Sequence, residues 1–184
     1  MWGGYDASID GVTTGVAGAN QTYVTNEAFQ FDGQDDTLSM GDVLGSVLTG
    51  EHTLAFWGKY DGSSSWMPFV GKEGVSRTWI GEDNGWDYTN SAKSVKPVYT
   101  VPDITVWHHY IVACGSSSET YYLDGSEVAT TSVGRVSDNT SSFEIGHDGK
   151  TNYGGGLVDD PRVFSKRVSA SEAANLYETG SIHG

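Results

Sequence analysis

Thr120–Thr131, with the sequence TYYLDGSEVATT, places an Asp-Gly pair between two runs of strand-forming residues. Both central residues of a type I′ turn need a positive φ angle, which Asp tolerates and Gly adopts freely, so Asp-Gly is a strong hairpin signal. We therefore predict two antiparallel strands joined at Asp124-Gly125.

Working outward from this hairpin, other short stretches alternate between apolar and polar residues and are bounded by Gly, Asp, Asn or Ser. They cover residues 28–33, 52–60, 67–71, 77–81, 107–114, 142–146 and 156–164. The nearly continuous apolar run at 107–114 predicts a central strand. Many short strands with turn residues between them indicate an antiparallel sandwich or jelly roll.

One segment, near the C-terminus, has the pattern of a helix. Ser169 and Glu172 have the spacing of a capping box, and Gly180 is suited to end the helix in the left-handed conformation. We expect this short helix to pack Leu176 and Tyr177 onto a sheet. No internal repeat or proline-rich linker divides the chain, so we predict a single domain over residues 1–184.

The charge balance excludes two classes of partner. The chain has 24 acidic and 10 basic residues, a net charge of −14. Such a surface repels nucleic-acid phosphates and anionic membranes, and it suits cation binding. No apolar run approaches membrane-spanning length. Cys114 is the single cysteine, so an internal disulfide is excluded, and its apolar run predicts a buried strand position.

Four motifs occur in a characteristic order along the chain. They are Phe31-Asp32-Gly33, Trp107-His108-His109, Tyr122-Leu123-Asp124-Gly125, and Gly156–Arg162 followed by Ser169–Glu172. Together they resemble the laminin G-like, concanavalin A-like jelly roll. The resemblance implies an all-β, two-sheet antiparallel β-sandwich with one short C-terminal helix. Pro161 departs from the family pattern, and because proline lacks an amide donor we expect an edge or a bulge there.

The resemblance also implies a structural calcium site. Similar jelly rolls supply a carboxylate to calcium from the last strand, where this chain has Asp159, and the turn at Asp32-Gly33 would bring backbone carbonyls close. Calcium takes six to eight oxygen ligands of this kind. The alternative is that Asp32, Asp35 and Asp36 only cap turns and that Asp159 and Asp160 are merely solvated.

A second candidate site is a sugar-binding face. Five aromatic residues occur in the middle of the chain: Trp57, Trp66, Trp79, Trp86 and Tyr88. Flat aromatic rings stack on the apolar faces of sugars. The segment Gly81–Tyr88 mixes turn formers, carboxylates and aromatics, which predicts an exposed loop with Asp83, Asn84, Trp86 and Tyr88 as ligand contacts. Core packing is the alternative, and we favour it for Trp57 and Trp107.

Catalysis is not expected. Glucanases of the resembled fold carry alternating carboxylates of the form E-x-D-x-x-E on one strand. This chain has no such alternation: Glu82 and Asp83 are adjacent, and adjacent strand residues face opposite sides of a sheet. The same argument separates His108 from His109.

Two functions follow from these observations. The first is a non-catalytic adhesion or decoration module, for instance a capsid or tail protein on a virion surface, that contacts neighbouring proteins in a lattice or oligomer and also binds host glycans. Its own Met1 and the lack of a signal peptide in residues 1–6 favour this prediction, because virion proteins are released by lysis. The second is a calcium-dependent lectin-like module of a secreted, extracellular protein. A β-glucanase-like glycoside hydrolase is the least favoured alternative.

Overall fold

The computed structural model describes residues 7–19, 27–81, 83–90, 92, 94–132, 134 and 136–183. Residues 1–6, used for the signal-peptide prediction, and Glu82 lie outside this part of the chain. Within it, the strands and helices in chain order are β1 (Ser8–Asp10), β2 (Thr13–Ala17), β3 (Glu27–Asp32), β4 (Thr37–Ser39), α1 (Gly45–Leu48), β5 (His52–Tyr60), β6 (Trp66–Lys72), β7 (Ser76–Gly81), β8 (Gly85–Thr89), β9 (Ser94–Thr100), β10 (His108–Cys114), β11 (Glu119–Leu123), β12 (Ser126–Thr131), β13 (Phe143–Ile145), β14 (Gly155–Phe164) and α2 (Ala170–Thr179).

The strands form two antiparallel sheets of seven strands each. In what we call the front sheet the order is β1-β4-β13-β6-β7-β8-β9, and in the back sheet it is β12-β11-β10-β5-β14-β3-β2. Neighbours in space are often distant in sequence, as expected for a jelly roll. The predicted two-sheet sandwich is confirmed. Neither helix of the described residues has the length and apolar character needed to cross a membrane.

Period-two alternation builds the core between the sheets. On β5, Leu54 and Phe56 are fully buried against the front sheet, while Ala55 and Trp57 lie on the opposite, outer face. The predicted central strand, β10, lies between β5 and β11, and its Cys114 is buried as expected. The core therefore consists of the inward positions of both sheets.

The β11–β12 hairpin has the predicted turn. Leu123 pairs with Ser126, which leaves Asp124 and Gly125 as a two-residue loop with φ angles of 50° and 76°. Two successive positive φ values are the signature of a type I′ turn. They explain why this Asp-Gly pair predicts the hairpin correctly.

Helix α2 begins and ends where its sequence predicts. Ser169 accepts a hydrogen bond from the Glu172 amide, the Glu172 carboxylate accepts one from the Ser169 amide at 2.8 Å, and Gly180 ends the helix at φ 68°. Leu176, 1% exposed, packs with apolar residues on the outer face of the back sheet. The helix thus covers that face.

Pro161 lies at a bulge. Strand β14 lies inside the back sheet, between β5 and β3, and its pairing with β5 shifts register between Asp159 and Arg162. Asp160 has a φ of 46° at this point. The bulge removes the need for an amide donor at Pro161. Of the two predicted possibilities, an edge or a bulge, the structure has the bulge.

Candidate functional site

The segment predicted as an exposed loop with Trp86 and Tyr88 is the strand β8. Trp86 pairs with Ile80 and Tyr88 with Thr78 across the β7–β8 hairpin. Both aromatic side chains are 0% exposed, so the prediction that they are exposed ligand contacts is wrong.

The reason is the alternation of β8. Trp86 and Tyr88 are two residues apart and therefore share one face of the sheet, which here is the core face. The Trp86 ring contacts Tyr110 edge-on at a centroid distance of 5.0 Å, and its Nε1 donates to Thr78 Oγ1 at 2.6 Å. The turn residues around Gly81 and Gly85 end two strands and do not mark a long loop.

Asp83 and Asn84 form the turn between β7 and β8. Asp83 Oδ1 accepts a hydrogen bond from the Gly85 amide at 3.0 Å, and Asn84 adopts a φ of 63°. Both residues therefore stabilise the turn, and their contact with a ligand stays a prediction.

The predicted calcium ligands lie apart. Gly155 of β14 pairs with Asp32, whereas Asp159 is four residues further along the same strand, about 13 Å away at the rise of a β-strand. Asp159 is 2% exposed, and its Oδ2 accepts a hydrogen bond from the Ala19 amide at 3.0 Å. The prediction that Asp159 joins Asp32 and Gly33 in one site is wrong. Strands β3 and β14 do pair, but their register keeps the Asp159 and Asp32 side chains apart.

Asp32 lies instead with the two carboxylates that follow it. One oxygen from each of Asp32, Asp35 and Asp36 lies within 4.8 Å of the others. Asp32 also accepts two hydrogen bonds from Gln34, and Asp36 accepts one from the Asp32 amide. Carboxylate oxygens of this kind fit calcium, although Asp32 and Asp36 already accept hydrogen bonds within the turn.

A groove lies on the outer face of the front sheet. The pairing of β6, β7 and β8 aligns Pro68, Trp79 and Asp87 in one row across the sheet. These residues alternate with the core positions, so they point away from the sandwich. Pro68 and Trp79 form the floor of the groove, and Asp87 lies beside Trp79 in the same row.

Trp66 forms the exposed edge of the groove. Its side chain is 38% exposed and lies over Gly81, where a Cβ would come within 2.9 Å of the indole. The absence of a side chain at Gly81 therefore allows the ring to lie flat against β7. Lys96 Nζ lies 5.6 Å from the Trp66 ring centroid and 4.6 Å from that of Trp79.

Asp87 is a buried carboxylate next to Trp79 of the floor. It is 4% exposed, and Oδ2 accepts a hydrogen bond from Trp79 Nε1 at 2.9 Å. Burial raises the pKa of Asp87 to about 6, against the lowering effects of the Trp79 hydrogen bond and the Lys96 charge. Asp87 therefore changes charge near neutral pH.

The loop at 147–153 forms one wall. Asp148 Oδ1 accepts hydrogen bonds from the amides of Lys150, Thr151 and Asn152, and Oδ2 accepts one from Asn152 Nδ2 at 2.6 Å. Burial opposes ionisation, but these hydrogen bonds outweigh it and hold the pKa of Asp148 below its ordinary value. The loop is thus built around one carboxylate, which also pairs with Arg77 at 3.9 Å.

Two cavities share Trp66 and Asn152. One, of about 240 Å³, is lined by Trp66, Pro68, Arg77, Trp79, Lys96, Asp148 and Asn152. The other, of about 330 Å³, is lined by Gly33, Gln34, Ser64, Ser65, Trp66, Thr151, Asn152 and Tyr153. We call the two cavities together the Trp66 groove. It combines an exposed indole with hydroxyl, amide and charged groups, which is the chemistry that holds a polar ligand with one flat apolar face.

Sequence reasoning named Trp66 and Trp79 as aromatic candidates but missed Asp87, Lys96 and Asn152. Asp87 could have been found from the alternation Trp86-Asp87-Tyr88, which places it opposite the two aromatics. Lys96 and Asn152 carry no local signal, since long-range packing brings them to Trp66.

His108 and His109 diverge as predicted. His108 Nδ1 lies 2.7 Å from Asp124 Oδ2, and this hydrogen bond raises the pKa of His108. His109 packs on Trp57 and Tyr177, and burial lowers the pKa of His109 to about 3. The favoured core role is confirmed for Trp57, which is 2% exposed and lies beneath α2, whereas Trp107 is only half-buried.

The geometry can now be compared with known proteins. The family model described as the concanavalin A-like lectin/glucanases superfamily (Laminin_G_3) matches residues 32–174. The chain belongs to this superfamily. The matched range contains β4–β14 and the first half of α2, and therefore most of both sheets and the whole Trp66 groove. The comparison with curated proteins finds no match.

Solved structures show the same fold at low identity. The Trypanosoma rangeli sialidase in complex with the inhibitor DANA has a TM-score of 0.70 and 14% identity, over 95% of this chain and 29% of that one. Domain 4 of AbnA, a GH43 extracellular arabinanase from Geobacillus stearothermophilus, in complex with arabinotriose, has a TM-score of 0.67 and 15% identity, over 91% and 82%. The receptor binding domain of botulinum neurotoxin C/D mosaic serotype has a TM-score of 0.69 and 15% identity, over 95% and 47%. This chain thus spans less than a third of the sialidase.

Proposed function

We propose that this superfamily member is a non-catalytic carbohydrate-binding module whose ligand lies in the Trp66 groove. The observation that carries the proposal is the position of Trp66, a 38% exposed indole between two cavities lined by polar groups. An exposed indole pressed against a glycine is a rigid platform, so a sugar stacking on it loses little free energy to side-chain ordering.

The comparisons support a carbohydrate ligand. Domain 4 of the arabinanase, which is covered over 82% of its length, is described in complex with arabinotriose. The superfamily itself is described as lectins and glucanases. At 14–15% identity these structures show the fold alone, and the Trp66 groove of this chain supports its binding role.

The charges of the groove favour binding over hydrolysis. Most glycoside hydrolases use two carboxyl groups that act on the same bond. In the described groove, both oxygens of Asp148 accept hydrogen bonds from its own loop, which leaves Asp87 as a single carboxyl with a raised pKa. A single carboxyl group of this kind lacks the partner carboxylate that the common mechanism uses, and this supports binding over hydrolysis.

A glycan array with matched variants tests the proposal. We expect Trp66→Ala to weaken the binding of every bound glycan by about fivefold or more, since a central aromatic contact is typically worth more than about 1 kcal/mol. Ile9→Ala, which removes a 58% exposed side chain on β1, is the control and should bind normally. Equal binding by both variants, or release of sugar fragments by the native chain, would contradict the proposal.

The placement of the module on a virion, in contact with neighbouring proteins, stays a prediction, as does the alternative of a secreted lectin. Both placements are compatible with a glycan ligand. Recovery of the protein as ordered copies on purified particles would support the first, and recovery as free protein outside cells the second.

A further inference from the structure

Lys96 is the cation nearest to the exposed indole of the groove. Its ammonium contacts the rings of Trp66 and Trp79 at 5.6 and 4.6 Å. Cation–π contacts hold an ammonium in place without using its N–H donors as hydrogen bonds to oxygen. Within the described part of the chain, no carboxylate oxygen comes within 4 Å of this ammonium.

The other charges that line the groove are neutralised within the protein. Arg77 pairs with Glu73 and Asp148, and Glu73 also pairs with Lys150 at 2.5 Å. Asp148 accepts four further hydrogen bonds from its own loop. In a chain with 24 acidic and 10 basic residues, the groove therefore presents one ammonium whose donors point to no protein carboxylate that the structure describes.

On the basis of the proposed carbohydrate-binding function, we infer that the groove selects sugars that bear a carboxylate, with the ring on Trp66 and the carboxylate on Lys96. A sugar in van der Waals contact with the indole lies about 4 Å from it. An ammonium 5.6 Å from the same ring centroid is then within hydrogen-bond reach of a substituent at the edge of that sugar. Hydrogen bonds between ammonium and carboxylate are among the strongest that a surface groove makes.

Asp87 adjusts this preference with pH. The charged groups around Asp87 are Lys96 on β9, Asp83 in the preceding turn and Arg77 on β7, which stacks on Trp79 at 4.8 Å. With a pKa of about 6, Asp87 is ionised at about pH 8 and neutral at about pH 5. A sugar carboxylate, with a pKa of about 3.5, is still ionised at that lower pH. Loss of the Asp87 charge makes the electrostatic potential around Lys96 more positive, so a carboxylated sugar binds more tightly at about pH 5.

The first experiment compares pairs of probes that differ in charge. Trigalacturonic acid is compared with its full methyl ester, and 3′-sialyllactose with lactose, by titration calorimetry. We expect the carboxylated member of at least one pair to bind about tenfold to a hundredfold more tightly, as for a hydrogen bond to a charged group. Preference within one pair or the other distinguishes uronic acids from sialic acids as the source of the carboxylate.

Matched variants assign this preference to Lys96. Lys96→Met should abolish the difference between charged and neutral probes, and Lys96→Arg should retain it. Lys59→Met makes the same charge change on β5 of the back sheet and serves as the control. Asp87→Asn keeps an acceptor for Trp79 Nε1, so binding at about pH 8 should rise to its level at about pH 5.

Each outcome separates this inference from the proposed function. Equal affinities for charged and neutral probes, or a preference that survives Lys96→Met, would overturn the selection of carboxylated sugars. The proposed function stands in that case if Trp66→Ala abolishes binding. If no probe and no glycan on the array binds, both proposals are wrong.

Discussion

The two faces of the β7–β8 hairpin contain similar residues in opposite environments. On the inner face, Trp86 and Tyr88 are fully buried and Trp86 Nε1 donates to Thr78. On the outer face, Trp79 lies beneath Arg77 and Lys96, and its Nε1 donates to Asp87. The inner face satisfies its polar groups with neutral hydroxyls, while the outer face retains charges and an exposed neighbour, Trp66. This difference is the reason to place the ligand outside the sandwich.

The largest expected effect is on the inner face. Trp86→Ala removes a fully buried indole and should lower the free energy of unfolding by about 3–5 kcal/mol. Trp66→Ala should lower it by less than about 1 kcal/mol, because that ring is partly exposed. Urea denaturation of both variants measures the contrast, and similar losses would remove the distinction between a core and a binding tryptophan.

A smaller effect tests the polar groups of the inner face. Thr78→Val keeps the shape of the side chain but removes the acceptor of Trp86 Nε1, 2.6 Å away. A buried donor left unsatisfied costs about 1–3 kcal/mol of unfolding free energy. Thr37→Val, which removes a buried hydroxyl that has no hydrogen-bond partner, is the control and should cost less. A Thr78→Val protein as stable as the native chain would contradict this assignment.

A substitution on the outer face should raise the free energy of unfolding rather than lower it. The folded pKa of Asp87, about 6, lies above the unfolded value of 3.8, so ionised Asp87 destabilises the fold above about pH 6. Asp87→Asn should therefore raise the unfolding free energy by about 1–2 kcal/mol at about pH 8, and the gain should disappear near pH 4, at about the unfolded pKa. Denaturation at both pH values measures it. A loss of stability at about pH 8 would show that the carboxylate stabilises the groove.

The smallest expected effect concerns calcium, which stays a prediction. A site with a dissociation constant of about 10⁻⁴ M, as in extracellular modules, would stabilise the fold by about 1.4 kcal/mol in about 1 mM calcium. Thermal unfolding with chelator and with added calcium or magnesium measures this. Asp35→Asn, in the cluster with Asp32 and Asp36, should remove the effect, whereas Asp159→Asn should not. A melting temperature indifferent to chelator would remove the calcium prediction.

Much of the fold was predictable because its signals are local. The Asp124-Gly125 turn, the Ser169–Glu172 capping box and the alternation of β5 each follow from residues within one turn or one strand. The strand β8 was missed because Gly81 and Gly85 lie close together, and turn residues at that spacing fit a loop as well as a tight hairpin. The error at Trp86 and Tyr88 follows directly from that one missed strand.

The candidate site was less predictable because its parts come from distant segments. Trp66 and Trp79 were named as candidates, but Lys96 and Asn152 reach them from β9 and from the loop before β14. The prediction that Asp159 and Asp32 share one site was wrong because these residues also come from distant segments. Their strands are neighbours, but the register places the two side chains at different heights along the sheet.

The sequence by itself determined the class of fold, the hairpin turn, the terminal helix and the acidic surface. These depend on φ preferences, period-two alternation and composition, which act within a few residues. The tertiary structure alone decided which aromatic residues are buried. It also decided that Lys96 lies beside the exposed Trp66. Each strand has two faces, and only the packing of one sheet against the other determines which becomes core, so Trp86 is buried while Trp66 forms the edge of the groove.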